Sequence, residues 1–154
     1  MKNFFSYYEG SLSSFIDAAC QHTGTLLKFR FCPASDSLIS DLKQYAISID
    51  SSFCHVIDNS AVKHIFNFHS SHDEELRGQL PLAKSDLLLI PEIVKNYDSL
   101  NVSVNKRNQE VILYSKTFSD NTTFYVEEVR SGRKELAACT MYKRKKANSP
   151  TLMD

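Results

Sequence analysis

The sequence predicts an α+β protein in which N-terminal helices pack on a C-terminal antiparallel β-meander. Two observations lead to this prediction. Apolar residues recur at helical spacing in several N-terminal segments. After residue 100, segments rich in β-branched and aromatic residues alternate with short turn-forming segments. Because helices come first and strands follow, the order favours α+β over a repeating βαβ arrangement.

The predicted helices are bounded by residues that begin or end helices. Three N-terminal segments have helical periodicity: Ser11–Gln21, residues 36–46 and residues 60–68. In the third segment, Val62, Ile65 and Phe66 lie on one side after a capping Asn59 or Ser60. The polar residues 70–80 are predicted to form a loop. A short helix is then expected over residues 91–98, because proline suits a first helical turn.

The predicted strands are short runs bounded by turn residues. They cover residues 25–32, 53–57, 102–104, 110–117, 122–130 and 134–143. Alternation along a strand places Lys116 on one face with Ile112 and Tyr114. It also places Arg130 on the same face of its strand as Glu128, and Glu127 on the other face. In the last strand, alternation predicts one shared face for Leu136, Ala138, Thr140 and Tyr142.

Composition is that of an ordinary globular protein. The 154 residues include 18 Lys or Arg and 18 Asp or Glu, so the formal net charge is zero. We expect one domain spanning residues 1–154. No apolar run approaches the roughly 20 residues that cross a membrane, and we expect no membrane contact. The four cysteines form no CxxC pair, which favours reduced thiols in the cytoplasm over a thiolate metal site.

Basic residues concentrate near the C-terminus. Residues 133–146 contain six Lys or Arg against one Glu. Such a segment is suited to contact a polyanion, and the alternative is a solvated tail that keeps the protein soluble.

Four of the five histidines are close together in sequence: His55, His64, His69 and His72. Zinc-binding pairs on a helix are separated by four residues, whereas His64 and His69 are separated by five. We therefore expect no metal site and no cofactor. Acid–base chemistry needs only a group that titrates near working pH. His64 lies off the apolar side of its helix, while His69 lies on it.

Several segments in order resemble a known family. They read KHIFNFH at 63–69, DLLLIPEIVKNYDSL at 86–100, EVILYSK at 110–116, FYVEEVR at 124–130 and LAACTMYK at 136–143. Together they resemble the phage-type branch of the barnase–EndoU–colicin–RelE-like nuclease superfamily. The resemblance extends from about Val62 to Lys143. On this basis residues 59–146 are expected to be the nuclease-like core, 1–58 a divergent front part and 147–154 a flexible tail.

The resemblance implies a metal-independent ribonuclease with its active site on the sheet. The reaction would be a transesterification in which the RNA 2′-OH attacks the neighbouring phosphorus. By resemblance, His64 is the acid or base, Lys116 stabilises the phosphate and Thr140 orients it. His69 is a further catalytic candidate. The residues expected to bind substrate are Arg130, Tyr142, Lys143 and Arg144, with the basic run continuing to Lys146.

The implied partners are RNA, with tRNA a candidate, and a cognate inhibitor protein of a toxin or effector. Two alternatives remain at this point. The first is an inactive module that binds RNA or protein. The second is a small immunity or regulatory protein, which balanced charge and small size also allow.

Overall fold

The computed structural model describes residues 5–21, 25–69 and 79–145. Its elements occur in the order β1 (Phe5–Tyr7), α1 (Leu12–Gln21), β2 (Leu26–Pro33), α2 (Asp36–Lys43), β3 (Cys54–Asp58), α3 (Asn59–His69), α4 (Lys84–Leu87), α5 (Ile90–Lys95), β4 (Ser99–Val104), β5 (Glu110–Thr117), β6 (Asn121–Arg130) and β7 (Glu135–Lys145). The α+β class is therefore confirmed. Within these ranges no helix is long and apolar enough to cross a membrane.

The described strands form one mixed sheet with the order β1-β2-β3-β7-β6-β5-β4. Strands β4 to β7 pair antiparallel in chain order. Two pairings are parallel, β1 with β2 and β3 with β7. The sheet that contains the predicted meander is therefore mixed, and the predicted arrangement of helices over an antiparallel meander is not confirmed. The parallel pairing of β7 arises because α3 follows β3 directly and carries the chain away from the sheet, so that β7 later enters beside β3 in the same direction.

The front of the chain belongs to this sheet. Strands β1, β2 and β3 all precede residue 59, and β3 lies between β2 and β7. The predicted strand over residues 25–32 was correct in place, whereas β1 has too few residues to produce a recognisable alternation.

The start of α3 is fixed by two polar side chains. Asp58 Oδ1 accepts a hydrogen bond of 2.7 Å from the Ala61 amide, as an N-cap does. Asn59 Oδ1 accepts one of 2.9 Å from the Leu27 amide in β2. Val62 and Ile65 are fully buried on the side of α3 that faces the core. These contacts set the height and rotation of the helix above the sheet.

Helix α5 ends earlier than the sequence predicted. It stops at Lys95, and Asn96 leaves helical geometry with φ −136° and ψ 43°. Tyr97 then turns towards α2, where its hydroxyl donates a hydrogen bond to Asp41. Residues 96–98 are therefore not helical, because tertiary contacts override the local periodicity.

The sheet has two unlike faces. The hydrophobic core lies on one of them, and all five described helices contribute side chains to that core. We call this the helix face, and its core residues are Phe29, Ile57, Ile112, Tyr114, Tyr125, Val129, Leu136, Ala138 and Met141. The opposite face contributes none of these residues. We call it the open face, and it carries Tyr7, Lys28, Arg30, Val56, Phe124, Glu128, Arg130, Thr140, Tyr142 and Arg144.

A β-bulge in β7 changes which side chains share a face. Thr140 is opposite Val126, but Ala138 is opposite Glu127, so Cys139 is an extra residue on its strand. A bulge of one residue reverses the alternation beyond it. Thr140 and Tyr142 therefore lie on the open face, whereas Leu136 and Ala138 lie on the helix face. The predicted shared face for these four residues is wrong for this reason.

Candidate active site at the gap between β3 and β7

A cleft opens where β3 and β7 separate. Their pairing ends at Val56 and Ala137, and α3 begins three residues after Val56. The space between the first turns of α3 and the middle of β7 has a volume of about 290 Å³. We call it the His64 cleft, and it is lined by Asp58, Ser60, Ala61, His64, Arg107, Arg130, Ala138 and Cys139.

His64 is in this cleft because of its position on α3. The buried residues Val62 and Ile65 flank it in sequence, and its own side chain points away from the core and is exposed. Asp58 is at the other end of the same wall, where it caps the helix. The cleft therefore contains an imidazole and a carboxylate, two groups that can exchange protons.

Two arginines line the opposite wall, and one buried carboxylate holds them. Glu128 Oε2 accepts from Arg107 Nη2 at 2.6 Å and from Asn105 Nδ2 at 2.7 Å. Its other oxygen, Oε1, accepts from Arg130 Nε at 2.9 Å. Each guanidinium uses one donor on Glu128 and has four others. The arrangement fixes two cations with donors left for an anion in the cleft.

The turn between β4 and β5 positions Arg107. Asn105 Oδ1 accepts from the Arg107 amide at 2.9 Å and from the Gln109 amide at 3.0 Å. Asn108 has a φ of 62°, a left-handed conformation that asparagine tolerates well. The turn is thus closed by its own polar side chain, and Arg107 extends from it over the open face.

The charge state of Glu128 follows from these contacts. Burial by itself raises the pKa of this carboxyl, but the hydrogen bonds from Arg130, Arg107 and Asn105 outweigh burial. The net result is a pKa below the ordinary value of 4.5. Glu128 is therefore ionised at neutral pH and holds the two guanidiniums as a carboxylate.

A second cleft adjoins the first and shares its arginines. It has a volume of about 370 Å³. Its lining consists of Arg107, Gln109, Glu128, Arg130, Ser131, Gly132 and Arg133. An anionic chain that crosses the His64 cleft can continue past Arg107 and Arg130 towards the β6–β7 turn. This path is positively charged although the protein as a whole is neutral.

A comparison with family models decides the class of this protein. The model described as phage-Barnase-EndoU-ColicinE5/D-RelE like nuclease3 matches residues 37–149, well over half of the chain. The chain belongs to this nuclease family. The resemblance seen in the sequence is confirmed, and the match begins earlier than Val62, within α2. Neither the curated proteins nor the solved structures contain a match to the chain.

The structure brings only part of the expected nuclease site together. His64 and Arg130 line one cleft, as just described. Thr140 lies on the same open face, but its hydroxyl oxygen is buried and makes no hydrogen bond in the described part of the chain. In this conformation that oxygen does not reach the cleft. Tyr142 and Arg144 lie further along the same face.

Lys116 is not part of the His64 cleft. It pairs with Thr123 on the helix face, opposite to the face of Thr140. Its ammonium donates a 2.7 Å hydrogen bond to the Asn96 carbonyl, and it lies 4.0 Å from Glu92. The expectation that His64, Lys116 and Thr140 line one cleft is therefore wrong. The bulge at Cys139 is the reason, since without it Thr140 would share the face of Lys116.

Lys143 has a contact that the sequence did not reveal. It lies on the helix face, and its ammonium is 3.0 Å and 3.2 Å from the two carboxylate oxygens of Asp86. Asp86 is itself buried and accepts a 2.8 Å hydrogen bond from the Ala83 amide. Lys143 thus neutralises a buried carboxylate, and its expected contact with substrate stays a prediction that this ion pair does not support. The side chain of His69, like Lys146, lies outside the described residues.

The remaining described histidine of the cluster belongs to the core. His55 Nδ1 lies 2.7 Å from Glu127 Oε2, and both side chains are buried. The hydroxyls of Tyr114 and Tyr125 donate to the same carboxylate at 2.6 Å and 3.0 Å. Burial, followed by the charge of Glu127, raises the pKa of both tyrosines. This network is closed on itself, without access to the open face.

Sequence reasoning missed Arg107, Asp58 and the role of Glu128. One signal for Glu128 was present, because alternation already placed it on the face of Arg130. Arg107 lies in a turn, where no periodicity reports the direction of a side chain. Cys139 also lines the cleft, and burial and the charge of Glu128 raise its pKa to about 11. It is therefore a protonated thiol at neutral pH. In the described ranges, no three His, Cys, Asp or Glu side chains are grouped as metal ligands.

Proposed function

We propose that this nuclease is an endoribonuclease that acts at the His64 cleft. The observation that supports this proposal is the meeting of one imidazole and two fixed guanidiniums at the gap between β3 and β7 of a nuclease-family sheet. Cleavage through the 2′-OH needs a proton acceptor and positive charge around the phosphoryl oxygens. His64 supplies the first requirement, and Arg107 with Arg130 supplies the second.

The proposed reaction is an internal transesterification. His64 takes the proton of the 2′-OH, and the 2′-oxygen forms a bond to the neighbouring phosphorus. The bond from phosphorus to the 5′-oxygen breaks, and that oxygen takes a proton from the imidazolium or from water. The products are a 2′,3′-cyclic phosphate and a 5′-hydroxyl. Arg107 and Arg130 bind the non-bridging oxygens, where negative charge accumulates in the transition state.

The experiment that tests this proposal is a cleavage assay on end-labelled RNA and tRNA in the presence of EDTA. We expect cleavage with cyclic-phosphate ends, and no cleavage of DNA of the same sequence, which lacks the nucleophile. His64→Gln and Arg130→Ala should each lower the rate about 100-fold or more. Lys116→Met is the matched control and should cleave normally, because Lys116 lies on the helix face.

Two outcomes would contradict the proposal. Cleavage of DNA at a comparable rate would exclude attack by the 2′-OH. Binding of RNA without cleavage by the wild-type protein would favour an RNA-binding module with an inactive nuclease fold.

We further propose a biological role as a toxin or effector that acts in the cytoplasm. A small ribonuclease directed at tRNA or another structured RNA stops translation, and a cell that makes it needs a cognate inhibitor. The test is induced expression in a bacterial host. Wild-type protein should arrest growth, and His64→Gln should not. Arrest by both forms at equal protein level would contradict a role for cleavage.

A further inference from the structure

Two aromatic rings face each other at the far end of the open face. Phe124 of β6 and Tyr142 of β7 are directly opposed in the ladder. Their ring centroids are 4.9 Å apart with an interplanar angle of 16°, so the rings are stacked. The guanidinium carbon of Arg144 lies 5.6 Å and 5.5 Å from the two centroids. We call these three residues the aromatic platform.

The aromatic platform is not part of the hydrophobic core. Neither ring is among the core residues or the partly buried residues packed against them. Both rings are half-buried and Arg144 is exposed. Their partial exposure distinguishes them from Tyr114 and Tyr125, the stacked and fully buried pair on the helix face.

The aromatic platform lies on the open face, along the same strand that lines the His64 cleft. Cys139 lines the cleft, and Tyr142 is three residues further along β7. At the usual rise of a β-strand this separation is about 10 Å. An RNA strand whose phosphate occupies the cleft therefore brings a base within a few nucleotides of the rings. Arg107 and Arg130 lie at the cleft end of this path, and Arg144 lies at its platform end.

The chemistry of the aromatic platform suits an unpaired nucleobase. A flat ring with a neighbouring guanidinium offers stacking and cation–π contacts to a base, while the guanidinium also attracts phosphate. Bases inside a duplex are already stacked and do not present their faces to a protein. We propose that Phe124, Tyr142 and Arg144 form a subsite that stacks one unpaired base of the RNA substrate. This inference rests on the proposed function and adds that the substrate is single-stranded at this position.

The experiment measures binding separately from cleavage. The probe is a fluorescent single-stranded 2′-O-methyl oligonucleotide, which lacks the nucleophile and is not cleaved, and affinity is read from anisotropy with the wild-type chain. Tyr142→Ala and Phe124→Ala should each weaken binding about 5- to 100-fold, the range for loss of one stacked base. Tyr142→Phe should bind like wild type. Tyr45→Ala is the control, because Tyr45 is an exposed aromatic residue whose hydroxyl contacts the Leu100 carbonyl away from the open face.

A series of probes with one abasic nucleotide at successive positions identifies the stacked base. At one position the missing base should weaken binding to wild type and have no effect on Tyr142→Ala, because the two changes remove the same contact. A duplex probe should bind wild type and Tyr142→Ala equally. This pattern cannot arise from a general loss of stability.

Three outcomes would overturn the inference. The first is an unchanged affinity of Tyr142→Ala for the single-stranded probe. If Tyr142→Ala does not fold, the same measurement is made on Tyr142→Leu, which keeps an apolar side chain. The second is an equal loss for single-stranded and duplex probes. The third is failure of wild type to bind any single strand while it cleaves RNA, which would leave the proposed function intact and remove this subsite.

Discussion

The residue that organises the candidate site is Glu128. Its two oxygens hold Arg107, Arg130 and Asn105 from three directions, and it is nearly buried beneath them. Burial disfavours the charged form of Glu128 and the arginines favour it. The charge state of Glu128 therefore depends on the arginines being present. Glu128 therefore acts through the groups it positions, and a substrate phosphate would contact the guanidiniums instead.

Replacing Glu128 should change activity and acid stability together. We expect Glu128→Gln to lower kcat at least about tenfold, since the guanidiniums lose their fixed orientation. The folded pKa lies below the unfolded value of 4.5, so the carboxylate stabilises the fold above that value. This stabilisation is lost as pH falls through the folded pKa. Melting temperatures between pH 3 and 7 should show wild type above Glu128→Gln near pH 7 and a shrinking difference below pH 4.5. A constant difference would contradict this account.

The pH profile of cleavage should report on His64. A neutral ring is needed to accept the 2′-OH proton. We expect kcat/KM to fall as pH decreases, by about tenfold per pH unit once the ring is protonated. Glu128, whose pKa is lowered from 4.5, remains ionised above that value and does not contribute to the fall there. A rate that instead declines above neutral pH would assign His64 the role of acid.

Lys143 shows that a basic run in a sequence does not by itself identify which lysines face a ligand. It belongs to a basic run, yet its ammonium faces Asp86 on the helix side of the sheet. We expect Lys143→Met to leave affinity for the 2′-O-methyl probe unchanged and to lower stability by about 1–3 kcal/mol, because a buried carboxylate loses its partner. Urea denaturation measures the stability. Weaker binding with unchanged stability would place Lys143 at the substrate after all.

At the scale of elements, the sequence predicted local structure better than side-chain direction. Helix α3 and strands β5, β6 and β7 lie within a few residues of the predicted ranges, because each has a clear periodicity. The bulge at Cys139 has no such signal. It reversed the expected direction of Thr140 and Tyr142 and separated Thr140 from Lys116. The parallel pairing of β3 with β7 is equally invisible locally, since it depends on where α3 carries the chain.

The anchoring of α3 can be tested directly. Asn59→Ala removes the acceptor for the Leu27 amide, and Asp58→Ala removes the helix cap. We expect each to lower the free energy of unfolding by about 1–2 kcal/mol. Because both residues set the position of His64, cleavage should fall more than binding of the 2′-O-methyl probe. An equal fall in both would mean that the residues serve stability alone.

For the whole molecule, the front of the chain contributes to the same sheet and core although the family match starts at residue 37. Phe15, Ile16 and Phe29 are buried in the common core, and β2 covers one edge of β3. Lys28, fully buried on the open face, pairs with the buried Glu135 at 2.9 Å. A fragment of residues 37–154 loses all of these contacts.

We therefore expect the fragment 37–154 not to fold. Loss of several buried side chains, at about 2–5 kcal/mol each, exceeds the usual stability of a domain of 5–15 kcal/mol. Near-ultraviolet circular dichroism and cooperative thermal unfolding should both be absent. Deletion of residues 147–154, expected from the sequence to be a flexible tail, is the control and should leave melting unchanged. A cooperatively folded 37–154 fragment would contradict the role assigned to the front.

The pairing of β3 with β7 also determines when the cleft forms during folding and synthesis. The cleft has one wall from α3 and another from β6 and β7, and the strands that join them are about eighty residues apart in the chain. Contacts this distant in sequence form late, since the intervening loop must close first. During synthesis the cleft cannot assemble until Ala137 has left the ribosome. An incomplete nascent chain that lacks β7 therefore has no complete site.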